Sequence, residues 1–253
     1  MPDSLQADRS EQGFSDAQRS HFTDADTDQF RWTTRAPGIA ESEDDLLAHV
    51  VPLLRSPCLE MGCGEGNNLV RLVPTLRCVG IDMFPRKLHF ASNELPDAFF
   101  AAADATKLPF PDGTFPSVFI RDLLHHVPEP DRALNEAIRV LEPGGQLCLL
   151  EPNGMNPLIR LQTHLVAAEI GARDSGFKQI RAMLESESLD GLEIQAQQPF
   201  ALRRMILHYR LGLPVLGNNA ITAKPLAWLE HALGALLPRS MWTYVVATAT
   251  KRR

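Results

Sequence analysis

The chain has 253 residues, of which 44% are hydrophobic, and its formal net charge at pH 7 is -6. This length and apolar content suit one large α/β domain with a substantial core. The negative net charge argues against general affinity for phosphate backbones, so we expect no nucleic-acid partner. Apolar runs stay shorter than the roughly 18 residues that span a bilayer, so no transmembrane segment is expected.

The four cysteines are expected to be reduced thiols in or beside buried strands. Cys58, Cys63, Cys78 and Cys148 form no C-x-x-C pair, the spacing typical of metal and redox centres. We therefore expect no metal site. The polar N-terminus lacks an apolar secretory segment, so the expected location is the cytoplasm.

The amino-acid composition of the N-terminal region changes along its length. Residues 1–28 are rich in Asp, Ser, Gln and Thr and are predicted to form a flexible arm. Residues 29–253 are predicted to form a single domain. Ser42 precedes several acidic residues and is a plausible helix N-cap. Apolar positions from Leu46 to Leu54 predict the face of that helix.

From residue 57 onward, predicted strands and helices alternate, as in a parallel sheet covered by helices on both faces. The predicted strands are 57–61, 77–82, 98–101, 117–121, 146–151, 192–199 and 242–249. The predicted helices are 66–73, 85–93, 130–141, 156–170, 176–186, 201–211 and 223–236. The predicted fold class is therefore α/β with a seven-stranded sheet.

Residues 155–187 and 200–239 exceed what such a sheet requires and are predicted to be helical insertions on the substrate side. The sequence leaves three alternatives open for them. They would cover the sheet edge, form a lid over an apolar substrate, or contact a membrane surface through a helix that contains Arg203, Arg204 and Arg210.

The stretch C-L-E-M-G-C-G-E-G-N-N at 58–68 predicts a strand, a tight turn and the start of a helix. Gly62, Gly64 and Gly66 let the backbone approach a ligand closely, and helix N–H groups lie just beyond. A dinucleotide fingerprint needs its third glycine three residues after the second, where Asn67 stands.

Two acidic residues favour a positively charged ligand. Glu60 lies two residues before the first glycine, where it would repel a pyrophosphate but suit an ammonium and a sulfonium. Asp82 ends the predicted second strand, and its two oxygens can accept both hydroxyls of a ribose. These features favour S-adenosylmethionine over a dinucleotide.

In these motifs the chain resembles the class I S-adenosylmethionine-dependent methyltransferases, in the small-molecule branch that includes the ubiquinone and menaquinone methyltransferases. The resemblance continues through F-F-A-A-A-D-A-T-K-L-P-F at 99–110, L-L-H-H-V at 123–127 and R-V-L-E-P-G-G-Q-L at 139–147. It covers about residues 45–152. Pro116 and Ser117 depart from the family pattern, which has Asp before the fourth strand.

The resemblance implies a Rossmann-like, seven-stranded, mostly parallel sheet whose last strand runs antiparallel between the fifth and sixth. It also implies that S-adenosylmethionine donates a methyl group and leaves as S-adenosylhomocysteine. The acceptor is expected to be a small, apolar metabolite such as a quinone or lipid precursor or a secondary metabolite. The sequence does not reveal whether oxygen, nitrogen or carbon is methylated.

The resemblance also implies a set of cofactor-binding residues. Glu60 and the glycine loop would hold the amino-acid end of the cofactor, Asp82 the ribose, and Asp104 the adenine amino group. Arg121 ends the predicted fourth strand and would face the cofactor carboxylate or an acidic acceptor, unless it forms a surface salt bridge. The predicted cofactor residues are Glu60, Gly62, Cys63, Gly64, Gly66, Asp82, Met83, Asp104, Ala105 and Arg121.

The residues of the chemical step are less defined, because a thioether leaving group needs no protonation. His125 is the candidate general base, and His126 is expected to pack or cap beside the acceptor. Asn153 would orient a polar acceptor atom or simply form a turn. Trp32 and Phe22 would close the pocket as aromatic walls or dock the arm onto the sheet.

Two other functions remain open from the sequence. The chain could be an inert module that binds S-adenosylmethionine without transferring the methyl group, or an NAD(P)-dependent oxidoreductase. For partners, we expect a small-molecule acceptor and either a monomer or a homodimer, with peripheral membrane contact left open.

Overall fold

A computed structural model describes residues 37–185, 188–207, 213, 216 and 220–253. The predictions for the N-terminal arm, Phe22 and Trp32 lie outside the described residues, as does Arg210. Parts of the two predicted insertions lie outside them as well.

Seven strands form one sheet in the order β3-β2-β1-β4-β5-β7-β6. Strand β7 lies between β5 and β6 and runs antiparallel to both, whereas the remaining neighbours are parallel. This arrangement confirms the predicted α/β fold with an antiparallel last strand. The strands are β1 (Cys58–Met61), β2 (Cys78–Asp82), β3 (Phe99–Ala102), β4 (Phe115–Arg121), β5 (Leu141–Pro152), β6 (Leu189–Gln197) and β7 (Tyr244–Lys251).

Helices connect and cover these strands. The α-helices are α1 (Pro37–Leu47), α2 (Leu69–Leu72), α3 (Pro85–Glu94), α4 (Pro130–Val140), α5 (Pro157–Leu165), α6 (Phe177–Leu184), α7 (Leu202–Ile206) and α8 (Ala220–Gly234). Short 3₁₀ helices occupy Val51–Leu53, Leu124–His126, Ala167–Arg173 and Arg239–Met241. Among the described residues, no helix is both long and apolar enough to cross a bilayer.

Helix α1 corrects the prediction that Ser42 is an N-cap. The chain is already helical at Pro37, a residue whose fixed φ suits the first turn of a helix. Ser42 therefore lies inside α1, where its buried hydroxyl accepts a hydrogen bond of 2.7 Å from Gln198 Nε2. The helix also ends at Leu47 instead of continuing to Leu54.

The core lies on both faces of the sheet, because successive side chains of a strand point in opposite directions. Val118 and Ile120 of β4 join one apolar cluster, and Phe119 between them joins the other. All four cysteines are buried and free, as predicted for core thiols. Cys58 and Cys148 lie in the same cluster as Phe119.

Candidate active site

A cavity of about 830 Å³ opens where the parallel strands end. The chain passes from β1 to β2 and β3 on one side, then returns to place β4 on the other side of β1. Ligands of open α/β sheets bind at this reversal of strand order, outside the carboxyl ends of the strands. The strand order of the sheet therefore determines the position of the cavity, whichever side chains line it.

The glycine loop forms the wall of the cavity at the end of β1. Gly62 and Gly64 have φ angles of 74° and 53°, in the left-handed region that favours glycine. A Cβ atom on Gly62 would lie 2.8 Å from Leu123 Cδ1. Gly62, Cys63 and Gly64 line the cavity, whereas the Gly66 N–H donates to the Cys63 carbonyl and closes the turn.

Asp82 ties the end of β2 to this loop. Its Oδ2 accepts a hydrogen bond of 2.9 Å from the Gly64 N–H, and its Oδ1 accepts one of 2.8 Å from the Phe84 N–H. Burial raises the pKa of this carboxyl group. A carboxylate offers about four acceptor positions, so two remain for a ligand. Asp82 and the exposed Met83 both line the cavity.

Asp104 and Ala105 line the cavity beyond the end of β3. Asp104 Oδ1 accepts hydrogen bonds of 2.8 Å from both the backbone N–H and the hydroxyl of Thr106. The carboxylate thus shapes its own turn and also borders the cavity.

Glu60 lies behind the cavity wall and is not among the lining residues. Its Oε1 accepts a hydrogen bond of 2.6 Å from Asn68 Nδ2, while its buried Oε2 has no hydrogen-bond partner among the described residues. Burial raises the pKa of Glu60 to about 8. Asn68 itself lines the cavity, so its side chain lies between Glu60 and the cavity.

Arg121 forms a buried ion pair, which corrects the alternative of a surface salt bridge. Its Nη2 donates to Glu43 Oε2 of α1, and both side chains are about 4% exposed. Its Nη1 donates to Asn68 Oδ1 at 2.8 Å. Burial opposes the charge of the guanidinium, but the neighbouring Glu43 carboxylate outweighs this effect and raises the pKa of Arg121.

Sequence reasoning missed a second arginine at the cavity. Arg204 of α7 lines it, and its guanidinium donates to the Tyr244 hydroxyl. Arg203 points inward as well, where it is buried and donates to Glu230 Oε2 at 2.9 Å. Of the three arginines in the membrane-contact alternative, Arg203 is therefore buried in the protein, and Arg204, whose side chain is 31% exposed, faces the cavity.

His125 is held between two carboxylates. Its Nδ1 lies 2.6 Å from Glu151 Oε2, and its Nε2 lies 3.5 Å from Glu169 Oε2. Burial opposes protonation of His125, but Glu151 outweighs this effect and raises the pKa to about 10. In contrast, burial and the neighbouring charge of His125 lower the pKa of His126 to about 3.

These contacts bear on the predicted base. An imidazole that keeps its proton at neutral pH does not accept another, so the contacts with Glu151 and Glu169 do not favour His125 as a general base. That role stays a prediction. His126 lines the cavity together with His125 and Glu169. Glu169 was missed because it lies more than 40 residues further along the chain, with no motif around it.

The side chain of Asn153 does not support the predicted contact with an acceptor. It is fully buried, and its Nδ2 donates to the carbonyls of Ser240 and Trp242 at 2.9 and 2.7 Å. Its Oδ1 accepts a hydrogen bond from the Met155 N–H. The asparagine therefore joins the loop after β5 to the segment before β7, as a structural residue.

The remaining wall of the cavity is largely apolar. It is built by the loop after β4, by α5 with the 3₁₀ helix that follows, and by the start of α7. The described part of the first predicted insertion therefore contributes to the cavity mainly through α5. The apolar lining residues are Leu123, Val127, Pro128, Pro152, Leu158, Ile159, Leu161, Leu165, Ala172 and Ala201.

Comparisons with known proteins show that the central part of the chain is similar to methyltransferases. Residues 59–149 match the family model of a methyltransferase domain. The chain is 33% identical over 114 residues to 27-O-demethylrifamycin SV methyltransferase of Amycolatopsis mediterranei, covering 42% of each chain. It is 42% identical over 76 residues to demethylmenaquinone methyltransferase of Renibacterium salmoninarum, covering 30% of this chain and 32% of the relative.

A solved structure extends the likeness to the whole fold. Phosphoethanolamine N-methyltransferase 2 of Haemonchus contortus, in complex with phosphomonomethylethanolamine and S-adenosylhomocysteine, has a TM-score of 0.66 and 17% identity. The match covers 96% of this chain and 60% of that chain. The match to the rifamycin and menaquinone relatives spans less than half the length of each of them.

Proposed function

Because the chain carries a methyltransferase domain with the class I S-adenosylmethionine-dependent fold, we propose that it transfers a methyl group from S-adenosylmethionine to a small, apolar metabolite. The acceptor would be a quinone precursor, a lipid precursor or a secondary metabolite. One observation carries the proposal: the same cavity joins the glycine loop and Asp82 to an extended apolar wall. S-adenosylhomocysteine is the second product.

The cofactor would lie across the ends of β1, β2 and β3. Gly62 and Gly64 let its amino-acid end approach the backbone, and the open acceptor positions of Asp82 receive the ribose hydroxyls. Met83 is 56% exposed beside Asp82, so its polarizable thioether is available to the adenine ring. Asp104 and Ala105 would border the opposite edge of that ring.

Glu60 would act on the cofactor through charge. Its buried Oε2 has no hydrogen-bond partner among the described residues, so ionisation of this carboxyl is unfavourable even with the charge of Arg121 nearby. The ammonium and sulfonium of S-adenosylmethionine supply positive charge at short range. Asn68, which donates to Glu60, lines the cavity between the acid and the ligand.

The apolar wall supports an apolar acceptor and a displacement mechanism. Methyl transfer needs the nucleophile, the methyl carbon and the sulfur in line, and the thioether leaves without a proton. Leu158, Leu161 and Leu165 of α5 would exclude water from that line and bury apolar acceptor surface. The acceptor then binds chiefly by its shape and apolar area.

Calorimetric titration of the protein with S-adenosylhomocysteine and, separately, with NADH tests the cofactor. We expect saturable binding of the first and none of the second. Tight NADH binding without a response to S-adenosylhomocysteine would contradict the proposal. Incubation with labelled S-adenosylmethionine and apolar extract fractions then tests transfer. Cofactor binding without any labelled acceptor would favour an inert binding module.

A further inference from the structure

Two imidazoles and a carboxylate meet at one side of the cavity. Glu169 Oε2 lies 3.5 Å from His125 Nε2, and Glu169 Oε1 lies 4.0 Å from His126 Nε2. One potential ligand atom from each side chain lies within 4.8 Å of the other two. We propose that His125, His126 and Glu169 bind a divalent zinc ion.

The distances suit tetrahedral coordination. Zinc bonds to imidazole nitrogen and carboxylate oxygen are about 2.1 Å long, which places two ligand atoms of a tetrahedral ion about 3.4 Å apart. The 3.5 Å between His125 Nε2 and Glu169 Oε2 already matches, whereas His126 Nε2 lies 4.0 Å from the other oxygen, Glu169 Oε1, and has to approach the carboxylate. Two histidines and one glutamate are also a donor set of catalytic zinc sites, which keep a fourth position open.

The surroundings orient His125 as a ligand. Glu151 Oε2 contacts its Nδ1, so the neutral tautomer that donates this proton directs the Nε2 lone pair towards Glu169. Glu151 is itself fixed, since its Oε1 accepts hydrogen bonds of 2.8 and 2.9 Å from the N–H groups of Leu123 and Leu124. A carboxylate behind a ligating histidine is typical of zinc sites, where it sets the orientation of the ring.

The charges of the cluster also call for a cation. Glu151 and Glu169 each contribute a carboxylate, and both imidazoles must be neutral at the nitrogen that binds metal. A dication would balance the two negative charges in this largely buried place. Zinc binding would therefore displace any proton from Nε2 of each imidazole, while His125 Nδ1 keeps the proton that it donates to Glu151.

The position of the site gives the ion a function. All three proposed ligands line the same cavity as the apolar wall of α5, so an acceptor bound in the cavity would have access to an open coordination position. A zinc ion there would bind an acceptor oxygen and lower the pKa of its hydroxyl group. This role rests on the proposed function, whereas the metal binding does not.

Titration of the chelator-treated protein with Zn²⁺ by calorimetry tests the site without any cofactor or acceptor. Wild-type protein should bind one equivalent. Glu169→Gln and His126→Gln should each weaken binding by at least about 10-fold, the lower limit even for second-shell losses. His164→Gln, at an exposed position of α5 outside the cavity lining, is the matched control and should bind like wild type.

Visible absorption of the Co²⁺-substituted protein identifies the donor atoms. Nitrogen and oxygen ligands give d–d bands without the near-ultraviolet thiolate band that cysteines would add. A thiolate band, no uptake of Zn²⁺ by wild type, or unchanged affinity in both variants would overturn the proposal in favour of an imidazolium held between carboxylates. Circular dichroism and S-adenosylhomocysteine binding confirm the folding of each variant, and loss of cofactor binding alone would count only against the proposed function.

Discussion

The Asp82 carboxylate accepts a hydrogen bond of 2.9 Å from the backbone N–H of Gly64, 18 residues earlier in the chain. The end of β2 and the turn after β1 are thus held together before a ligand arrives. An acid placed in this way is part of the binding surface and also of the loop beside it. Substitutions of Asp82 therefore have to be judged by ligand affinity and by stability together.

Asp82→Ala should weaken binding of S-adenosylhomocysteine by several-fold to about 100-fold. Stranding hydrogen-bonding groups costs about 1–3 kcal/mol, here for the ribose hydroxyls and the Gly64 N–H. Calorimetry measures the dissociation constant, and thermal unfolding measures the stability of the same sample. Asp97→Ala, at an exposed position, is the control. An unchanged dissociation constant would mean that the ribose is held elsewhere.

Gly62→Ala should destabilise the fold more than Gly191→Ala. Both glycines have positive φ, 74° and 64°, so both variants carry the backbone strain of roughly 1–2 kcal/mol. At Gly62 the new methyl group would also lie 2.8 Å from Leu123 Cδ1, whereas nothing lies within 4 Å at Gly191. Thermal unfolding compares the two. Equal losses of thermal stability would show that Leu123 moves away without a cost in free energy. The substitution Leu123→Ala should partly restore the stability of the Gly62→Ala variant.

Glu43→Gln should cost far more stability than Glu129→Gln. Glu43 and Arg121 are both about 4% exposed, and removal of one member of a buried pair typically costs about 3–5 kcal/mol. Glu129 and Arg132 form an exposed pair, for which about 0–1 kcal/mol is typical. Urea unfolding gives both free energies of unfolding. Similar values would mean that Arg121 finds another partner when position 43 loses its charge.

The buried acid Glu60 should make stability fall as pH rises. Its pKa is raised from 4.5 to about 8 by burial, so the folded state keeps a proton that the unfolded state has lost. Stability is then lost progressively between about pH 4.5 and pH 8. Glu60→Gln, which cannot ionise, should flatten this slope and be more stable than wild type at pH 8.

The same variant separates stability from binding. Under the proposed function, Glu60→Gln removes a negative charge that the cationic cofactor requires, so S-adenosylmethionine affinity at pH 8 should fall while stability rises. Unfolding curves and calorimetry at pH 5 and pH 8 give both quantities. If the stability of the variant falls with pH as steeply as that of wild type, or if its affinity for S-adenosylmethionine is unaltered, Glu60 does not contribute to the charge of the site.

The sheet could be predicted from the sequence because its signals are local. Alternating apolar segments gave all seven strands within a few residues, and Gly62 and Gly64 gave the turn after β1. The failures have physical reasons. The predicted helix 66–73 spans only Leu69–Leu72 in the structure, and Gly66 cannot begin it because a φ of 82° lies outside the helical region.

The side chains that complete the cavity could not be predicted because they arrive from distant segments. Glu43, Glu169 and Arg204 lie in α1, in the 3₁₀ helix after α5 and in α7, and local sequence does not say which strand end they approach. The sequence left two alternatives open for Asn153 for a related reason, since an Asn-Gly pair looks the same whether its amide faces a ligand or two carbonyls.

Because every cysteine is buried, chemical modification of the thiols measures how often the sheet opens. Cys58, Cys78 and Cys148 sit in three different strands, with no accessible sulfur surface while those strands stay paired. A small alkylating reagent can modify them only during excursions that separate the strands. Mass spectrometry gives the modification rate of each thiol, and this rate therefore reports how often its strand separates from the neighbouring strands. Ligand binding should slow the modification.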